Sequence, residues 1–378
     1  MESNRFFPEI HGNFGFGCMR LPLIGEEVDQ GEFMKMVDRF LEQGFNYFDT
    51  AHGYLGGRSE TALRVCLTSC YNRNNYILTN KLSGNFFQAE ADIRPLFQEQ
   101  LEACGVEYFD FYLMHAQNRN NFEHYKACRA YETAFELKKE GKVRHVGISF
   151  HDSPETLERI LTEYPEIEVV QIQFNYLDYE NPNVQSRAVY EVLEKHRKPV
   201  LIMEPVKGGA LAELPADAQA VFDELQGGSA ASYAVRFAAG FPQVCVVLSG
   251  MSNMQQMEDN TGFMKSFLPL NEKELEAVKK VREIYMEQNS IPCTACRYCV
   301  DGCPQHILIP DLFHAMNMKR VFRDWRQEDK YKELTQENGK ASACIRCGQC
   351  ERACPQHLPI RDLLVQVAEV FEKEKEED

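Results

Sequence analysis

The sequence lacks any apolar run of the roughly 18 to 20 residues that a membrane-spanning helix requires. Its first ten residues include Glu2 and Glu9 and contain no apolar segment of the kind found in secretory signal peptides. The sequence has fewer basic than acidic residues, with 41 lysines and arginines and 57 aspartates and glutamates, so its formal net charge is −16. Such a charge argues against a nucleic-acid partner held through phosphate contacts. We therefore expect a cytoplasmic protein with no membrane span and no nucleic-acid partner.

Disorder and low complexity are also excluded. Hydrophobic residues make up 44% and charged residues 26% of the 378 residues, which is ordinary for a folded protein. This length suffices for one large α/β barrel or for two ordinary domains.

Short β-rich runs alternate with amphipathic stretches of helical length over about the first 265 residues. Eight such runs predict strands at 14–21, 46–50, 76–81, 109–115, 145–149, 169–174, 200–204 and 245–249. Eight βα units favour a (β/α)₈ TIM barrel. The alternative is a doubly wound open sheet, which normally has a G-x-G-x-x-G turn after its first strand. Here Gly15 and Gly17 give only the start of that turn, since Arg20 stands at the third glycine position.

Eight of the 14 cysteines fall in two runs near the C-terminus, each with the spacing C-x2-C-x2-C-x3-C and each followed by proline. The runs are Cys293, Cys296, Cys299 and Cys303, and Cys344, Cys347, Cys350 and Cys354. This is the bacterial spacing for iron–sulfur clusters, in which one short loop brings three thiolates to three irons. Structural zinc usually takes two well-separated C-x-x-C pairs, and disulfide frameworks belong to small secreted domains. Both alternatives are therefore disfavoured.

In proteins with two such runs, the fourth cysteine of each run ligates the other cluster. We therefore expect two 4Fe–4S clusters. One should take Cys293, Cys296, Cys299 and Cys354. The other should take Cys344, Cys347, Cys350 and Cys303. The expected domains are a barrel at 1–288, a small helical ferredoxin-like domain binding both clusters at 289–370, and a charged tail at 371–378.

Polar residues follow three neighbouring strands of the predicted barrel, where functional residues of such barrels lie. Asp49 and Tyr54 follow the second strand, Lys81 ends the third, and His115 ends the fourth. Singly, these residues are compatible with a helix cap, a surface charge or a core histidine. Their convergence on one rim indicates a catalytic site.

Several stretches carry a resemblance to a known family: FGFGCMRLP at 14–22, DTAHGY at 49–54, LTNKL at 78–82, YLMH at 112–115, GIS at 147–149, QIQFNY at 171–176, and 250–260. The sequence resembles the aldo/keto reductase family over about residues 10–265. With its cysteine runs, it resembles a branch that has a C-terminal 4Fe–4S ferredoxin-type domain.

The resemblance implies that Tyr54 is the general acid that protonates a carbonyl oxygen as hydride reaches the carbon. An isolated tyrosine has a pKa near 10, which is high for this task. Lys81 would lower that value, because a neighbouring cation favours phenolate. Asp49 would hold Lys81 in place, and His115 would orient the carbonyl.

The resemblance also implies a nicotinamide cofactor, NAD(P). Ser149 and Gln171 match positions that bind the nicotinamide carboxamide, and Met203 stands where the family often stacks an aromatic ring. The loop that holds the adenosine phosphates would include Gly250, Ser252, Asn253, Gln256 and Asn260. NADP-preferring members usually place a basic residue there to pair the 2′-phosphate. No lysine or arginine lies between Gly250 and Asn260, so NAD is slightly favoured.

Three functions remain open. In the first, the protein reduces a small-molecule carbonyl with NAD(P)H, or oxidises the alcohol, and the iron–sulfur domain is an electron-transfer or sensory appendage. In the second, electrons pass through the clusters, with a flavin converting between hydride and single electrons. In the third, the chain is a non-catalytic electron-transfer subunit with a ferredoxin-like or other redox protein partner. The sequence does not name the substrate.

Overall fold

The computed structural model describes residues 4–182, 184–225, 227–287, 290–322 and 326–372; the expected tail lies outside this description from residue 373 onward. The chain forms two compact units, Met1–Pro205 with Ala231–Leu270, and Val206–Ala230 with Asn271–Asp378. Within the described ranges, no helix is both long enough and apolar enough to cross a membrane. The segment 206–230, which the sequence pattern places in the barrel, belongs to the second unit.

The first unit contains a closed barrel of eight parallel strands, which confirms the predicted fold. An unpredicted antiparallel ribbon follows the first barrel strand. In chain order, the strands are β1 (Phe14–Gly17), β2 (Leu23–Ile24), β3 (Glu27–Val28), β4 (Tyr47–Asp49), β5 (Ile77–Leu82), β6 (Phe109–Gln117), β7 (Val143–Phe150), β8 (Val169–Gln173), β9 (Val200–Met203) and β10 (Val244–Ser249). β2 and β3 form the ribbon, and the other eight close the barrel.

The α-helices of the described residues are α1 (Gln30–Glu42), α2 (Arg58–Leu63), α3 (Glu90–Cys104), α4 (Phe122–Ala127), α5 (Ala130–Lys139), α6 (Pro154–Glu163), α7 (Ser186–His196), α8 (Ala216–Asp223), α9 (Ala230–Ala239), α10 (Met254–Lys265), α11 (Glu272–Glu287), α12 (Ile309–Phe322), α13 (Gln327–Leu334), α14 (Gln349–Ala353) and α15 (Ile360–Phe371). Side-chain caps begin several of them. For example, Asp29 Oδ1 accepts from the Glu32 amide at 3.0 Å at the start of α1. Arg129, which adopts a left-handed conformation with φ 52°, separates α4 from α5.

The strand register brings the functional ends of the barrel strands level with one another. Asp49 pairs with Thr79, Leu82 with Met114, and Ser149 with Gln171. Side chains on both faces of β5 are buried, as expected for a parallel strand covered by helices. The rim residues therefore stand on a rigid frame.

The second unit contains an internal repeat around the cysteine runs. In both runs the second residue after the first cysteine is left-handed, Ala295 and Arg346. The third residue after the last cysteine is left-handed too, His306 and His357. A helix then follows each run, α12 and α15, and residues of both belong to one apolar cluster. The doubled spacing in the sequence therefore corresponds to a doubled backbone conformation.

Candidate functional site

The four predicted rim residues lie together in the first unit. Asp49 is the last residue of β4, while Lys81 and His115 lie near the ends of β5 and β6. Tyr54 follows β4 in a tight turn, in which the Tyr54 amide donates to the Ala51 carbonyl at 3.0 Å. The next residue, Leu55, is left-handed at φ 54°, and this bend sets the direction in which the chain leaves Tyr54.

Lys81 is the centre of this group and is fully buried. Its Nζ donates to Asp49 Oδ1 at 2.6 Å, to the Thr50 carbonyl at 2.8 Å and to the Tyr54 hydroxyl at 3.3 Å. Burial lowers the pKa of Lys81 below its ordinary value, although the Asp49 carboxylate acts in the opposite direction. Asp49 therefore offsets much of the cost of burying a cation beside the Tyr54 phenol.

His115 lies edge-on to the Tyr54 ring, with ring centroids 5.9 Å apart. Burial, followed by the charge of Lys81, holds the pKa of His115 well below its ordinary value, so the imidazole is neutral near pH 7. Its Nδ1 lies 2.6 Å from the hydroxyl oxygen of Ser83, which is itself buried. Sequence reasoning missed Ser83, although it lies only two residues after Lys81.

A second buried network, also missed from the sequence, connects His52, two residues before Tyr54, to β5. Glu60 is 1% exposed and contacts His52 Nδ1 at 2.8 Å through Oε2. Its Oε1 accepts from Asn80 Nδ2 at 2.7 Å, and Asn80 immediately precedes Lys81. The hydrogen bond to Glu60 raises the pKa of His52 above its ordinary value. A single glutamate in the first turn of a short helix gives little sequence signal of burial.

Two residues expected at the nicotinamide lie buried at adjacent strand ends. Gln171 Nε2 donates to Asp49 Oδ2 at 3.0 Å, which ties this position directly to the Lys81 group. The Ser149 hydroxyl oxygen accepts from the Ala116 amide at 2.7 Å. Met203, the third residue expected there, is the half-buried last residue of β9.

The loop after β10 is organised by its own polar side chains. Asn253 caps α10 by accepting from the Gln256 amide at 2.9 Å, and Gln256 Oε1 accepts from the Ser252 amide at 2.8 Å. Asn260 Nδ2 donates to the Gln256 carbonyl at 2.8 Å. The Ser252 hydroxyl donates to the carbonyl of Arg20 at 2.7 Å. The structure thus brings the backbone of a basic residue from the β1 loop against this loop, which local sequence could not show.

The eight cysteines of the second unit form two groups, each of which combines residues from both runs. One cavity is lined by Cys303, Cys344, Cys347 and Cys350. In the other group, Cys299 has a raised pKa because of burial first, and then because of neighbouring Cys296, Cys293 and Cys354. All eight are free thiols rather than disulfides. Each group thus takes three cysteines from one run and the fourth from the other.

A family model described as aldo/keto reductase family matches residues 13–283. The chain belongs to the aldo/keto reductase family. A second model, the 4Fe-4S dicluster domain, matches residues 292–359. The protein is therefore an oxidoreductase of the aldo/keto reductase family with a C-terminal iron–sulfur domain. These matches confirm the recognition made from the motifs.

Individual relatives are distant. The chain is 24% identical to an uncharacterized oxidoreductase, YqkF, of Bacillus subtilis over 73% of this chain and 95% of the relative. It is 27% identical to the NADH-specific methylglyoxal reductase of Escherichia coli, over 38% of this chain and 48% of that protein. A crystal structure of an aldo-keto reductase from Klebsiella pneumoniae in complex with NADPH has the same fold. Its TM-score is 0.60 at 17% identity, over 75% of this chain and 95% of that one.

Proposed function

We propose that the barrel site reduces a small-molecule carbonyl with NAD(P)H, or oxidises the corresponding alcohol, with Tyr54 as general acid. The observation that carries this proposal is the buried Lys81 ammonium, which contacts both the Asp49 carboxylate and the Tyr54 hydroxyl. As Tyr54 releases its proton to the substrate oxygen, the adjacent cation stabilises the charge left on the phenol oxygen. Asp49 keeps that cation in place.

His115 orients the carbonyl in this proposal. A neutral imidazole carries one ring proton, and the hydrogen bond at the other nitrogen decides where it sits. We assign the Ser83 hydroxyl as donor to Nδ1 of His115, which places the ring proton on Nε2. That N–H then donates to the same substrate oxygen that Tyr54 protonates. Ser83 acts as a positioning residue, because it works through His115.

The rim residues fit a nicotinamide. When bound, the reduced nicotinamide supplies hydride to the carbonyl carbon. Since Gln171 donates through Nε2 to Asp49, its amide oxygen is the atom that would accept from the carboxamide NH₂. Since the Ser149 oxygen accepts from Ala116, its hydroxyl proton would go to the carboxamide oxygen. Met203 would pack against the ring through its thioether. The pair Ser149 and Gln171 therefore offers one donor and one acceptor, as a carboxamide requires.

The loop of Gly250, Ser252, Asn253, Gln256 and Asn260 would hold the adenosine phosphates, with NAD slightly preferred. The loop contains no lysine or arginine to pair a 2′-phosphate. The similarity to an NADH-specific reductase from Escherichia coli supports the same preference. Dissociation constants for NADH and NADPH, measured by quenching of protein fluorescence, test this. Tighter binding of NADPH would contradict it.

The cysteine groups fit two 4Fe–4S clusters with crossed ligands. Four thiolates around one small space are the donor set that such a cluster takes. When present, each cluster exchanges one electron at a time. The Cys344 run includes the exposed Cys347 and the 60% exposed side chain of Ile345. This run therefore offers the more accessible side for a ferredoxin-like or other one-electron protein partner.

Anaerobic purification followed by cofactor analysis and turnover tests the proposal. We expect about eight irons and eight sulfides per chain, since two four-iron clusters are predicted. We also expect NADH oxidation that depends on an added aldehyde or ketone. Stoichiometric zinc without sulfide would contradict the clusters. Tightly bound flavin, with no carbonyl-dependent NAD(P)H oxidation, would favour the cluster-coupled alternative.

A further inference from the structure

Lys207 is a buried lysine of the second unit. Its side chain lies in the turn Lys207–Gly209, at the start of the segment 206–230, and the residue is 2% exposed. The Nζ donates to Gln356 Oε1 at 3.1 Å, and Gln356 is buried as well. Burial of an ammonium group is unfavourable unless polar groups or negative charge lie nearby, so the surroundings of Lys207 are informative.

The turn that carries Lys207 is packed directly on the first cysteine run. A Cβ added to Gly208 would lie 2.5 Å from the carbonyl oxygen of Thr294, closer than real Cβ contacts come. Three successive residues have positive φ, at 48° for Lys207, 67° for Gly208 and 104° for Gly209. Because this conformation is unfavourable for a residue other than glycine, tertiary packing must hold Lys207 there.

The two residues that this turn contacts both lie close in sequence to cysteines of the same proposed cluster. Thr294 follows Cys293, and Gln356 comes two residues after Cys354. These two cysteines are neighbours of Cys299 in the folded chain. The turn thus touches both cysteine segments that would ligate the first cluster, here defined as the one on Cys293, Cys296, Cys299 and Cys354.

The internal repeat provides a comparison. Ile345 stands in the second run where Thr294 stands in the first, one residue after the leading cysteine. Thr294 is 1% exposed, whereas Ile345 is 60% exposed. The residue after the leading cysteine is therefore buried in the first run and exposed to solvent in the second.

We propose that Lys207 raises the reduction potential of the first cluster. A cluster with four thiolates carries net negative charge, and this charge grows by one when a one-electron donor reduces it. A nearby ammonium favours the reduced form, as charge and hydrogen bonding around such clusters generally set their potentials. This inference rests on the proposed clusters but not on carbonyl reduction.

A redox titration of the anaerobically purified full chain tests the effect of the Lys207 charge on the potential of the first cluster. Dithionite is the reductant, and electron paramagnetic resonance measures the reduced clusters. With Lys207→Gln, we expect full iron content and an about tenfold lower ratio of reduced to oxidised first cluster at the wild-type midpoint, equivalent to about 59 mV. Lys207→Arg should stay near wild type. The matched control is Lys332→Gln, which removes a lysine charge from a 77% exposed side chain of the same unit and should change nothing.

Several outcomes would overturn the proposal. One is an unchanged midpoint in Lys207→Gln with clusters intact, and another is an equal shift in Lys332→Gln. Equal loss of iron in Lys207→Gln and Lys207→Arg would show that Lys207 has a structural role rather than an electrostatic one. Absence of iron from the wild-type protein would instead contradict the proposed clusters themselves.

A pair of glycine variants tests the contact separately. Gly208→Ala should lose the first-cluster signal and about half of the iron, because its methyl group meets the Thr294 backbone. Gly209 has a positive φ too, but a Cβ added there would meet nothing within 4 Å. Gly209→Ala should therefore keep the signals of both clusters. Full iron and an unchanged midpoint in Gly208→Ala would show that this contact does not hold Lys207 near the cluster.

Discussion

The rim residues Asp49, Tyr54, Lys81 and His115 come from three strands that are separated by long helical connections, whereas each run of cysteines lies within eleven residues. The first group depends on a closed barrel for its geometry. The second depends on short loops whose left-handed residues recur in both runs. The two sites therefore place different demands on the rest of the chain.

This difference predicts different responses to loss of cofactor. The barrel packs its strands through an apolar core that needs no metal, so the rim geometry should persist without iron. Cysteines contribute to the apolar cluster of the second unit itself, Cys299 and Cys350 among its buried members. Because metal-binding energy commonly becomes folding energy in such small domains, the second unit should depend on its clusters.

The largest expected effect is at Tyr54, the proposed proton donor. Tyr54→Phe should lower kcat for carbonyl reduction about 10² to 10⁴-fold, the usual range for a general acid. The dissociation constant for NADH and the iron content should remain near wild type, since the phenol ring stays in place. Lys81→Met should cost a similar factor, because it removes the cation that stabilises the phenolate.

The matched control is Tyr164→Phe, since the hydroxyl of Tyr164 donates to Glu132 rather than to any rim residue. Steady-state kinetics of all three variants supply the measurement. Full carbonyl reduction by Tyr54→Phe would show that another group donates the proton.

Crossed ligation of the clusters can be tested by pairs of serine substitutions. Cys303 and Cys344 line one cavity, so their double variant should lose no more than the single Cys344→Ser variant, about half of the iron. Cys354 belongs to the other group, so Cys344→Ser combined with Cys354→Ser should lose both clusters. Iron and sulfide analysis after anaerobic purification measures this. The reverse pattern would mean that each run ligates its own cluster.

The eight barrel strands were predictable from the sequence because their apolar runs alternate with amphipathic helices, and each predicted run contains or overlaps an observed strand. The cysteine groups were predictable for a different reason, since spacing alone specifies cluster ligands. The positions of the four rim residues were predictable because residues at the ends of parallel strands share one rim.

Other features depend on contacts that sequence spacing does not encode. The hydrogen bond between Ser83 and His115, the buried Glu60 and the Lys207 turn each join segments whose approach the fold decides. The β2–β3 ribbon was missed because two-residue strands give almost no periodic signal. The grouping of segment 206–230 with the second unit also depends on such contacts, because this segment has no change of composition comparable to the cysteine runs.

A smaller effect is expected at Ser83, the positioning residue of the rim. Ser83→Ala should lower kcat by up to about tenfold, because one hydrogen bond contributes about 0.5–1.5 kcal/mol. The KM for NADH should stay unchanged. Ser83→Thr keeps the hydroxyl and should restore much of the activity. Equal activity of Ser83→Ala and Ser83→Thr at every pH would show that the serine does not position His115.

The smallest effect concerns the pH dependence of stability, through the contact between His52 and Glu60. The hydrogen bond to Glu60 raises the pKa of folded His52, so protonation favours the folded state. This contribution is fully present below the unfolded histidine pKa of about 6.5 and is lost as pH rises through the folded value. Because His52 is partly exposed, we expect less than about 1 kcal/mol.

Urea unfolding of the barrel, followed by far-ultraviolet circular dichroism between pH 5.5 and 8.5, measures this contribution. His52→Gln should remove the corresponding part of the pH dependence. The matched control is His196→Gln, which removes an equally buried histidine on α7 that contacts Glu158 and no rim residue. In this comparison, kcat at pH 7 should fall only in His52→Gln, because the Glu60 network continues through Asn80 to Lys81. If His52→Gln retained both the full pH dependence and full activity, the network would neither sense the proton nor brace the Tyr54 turn.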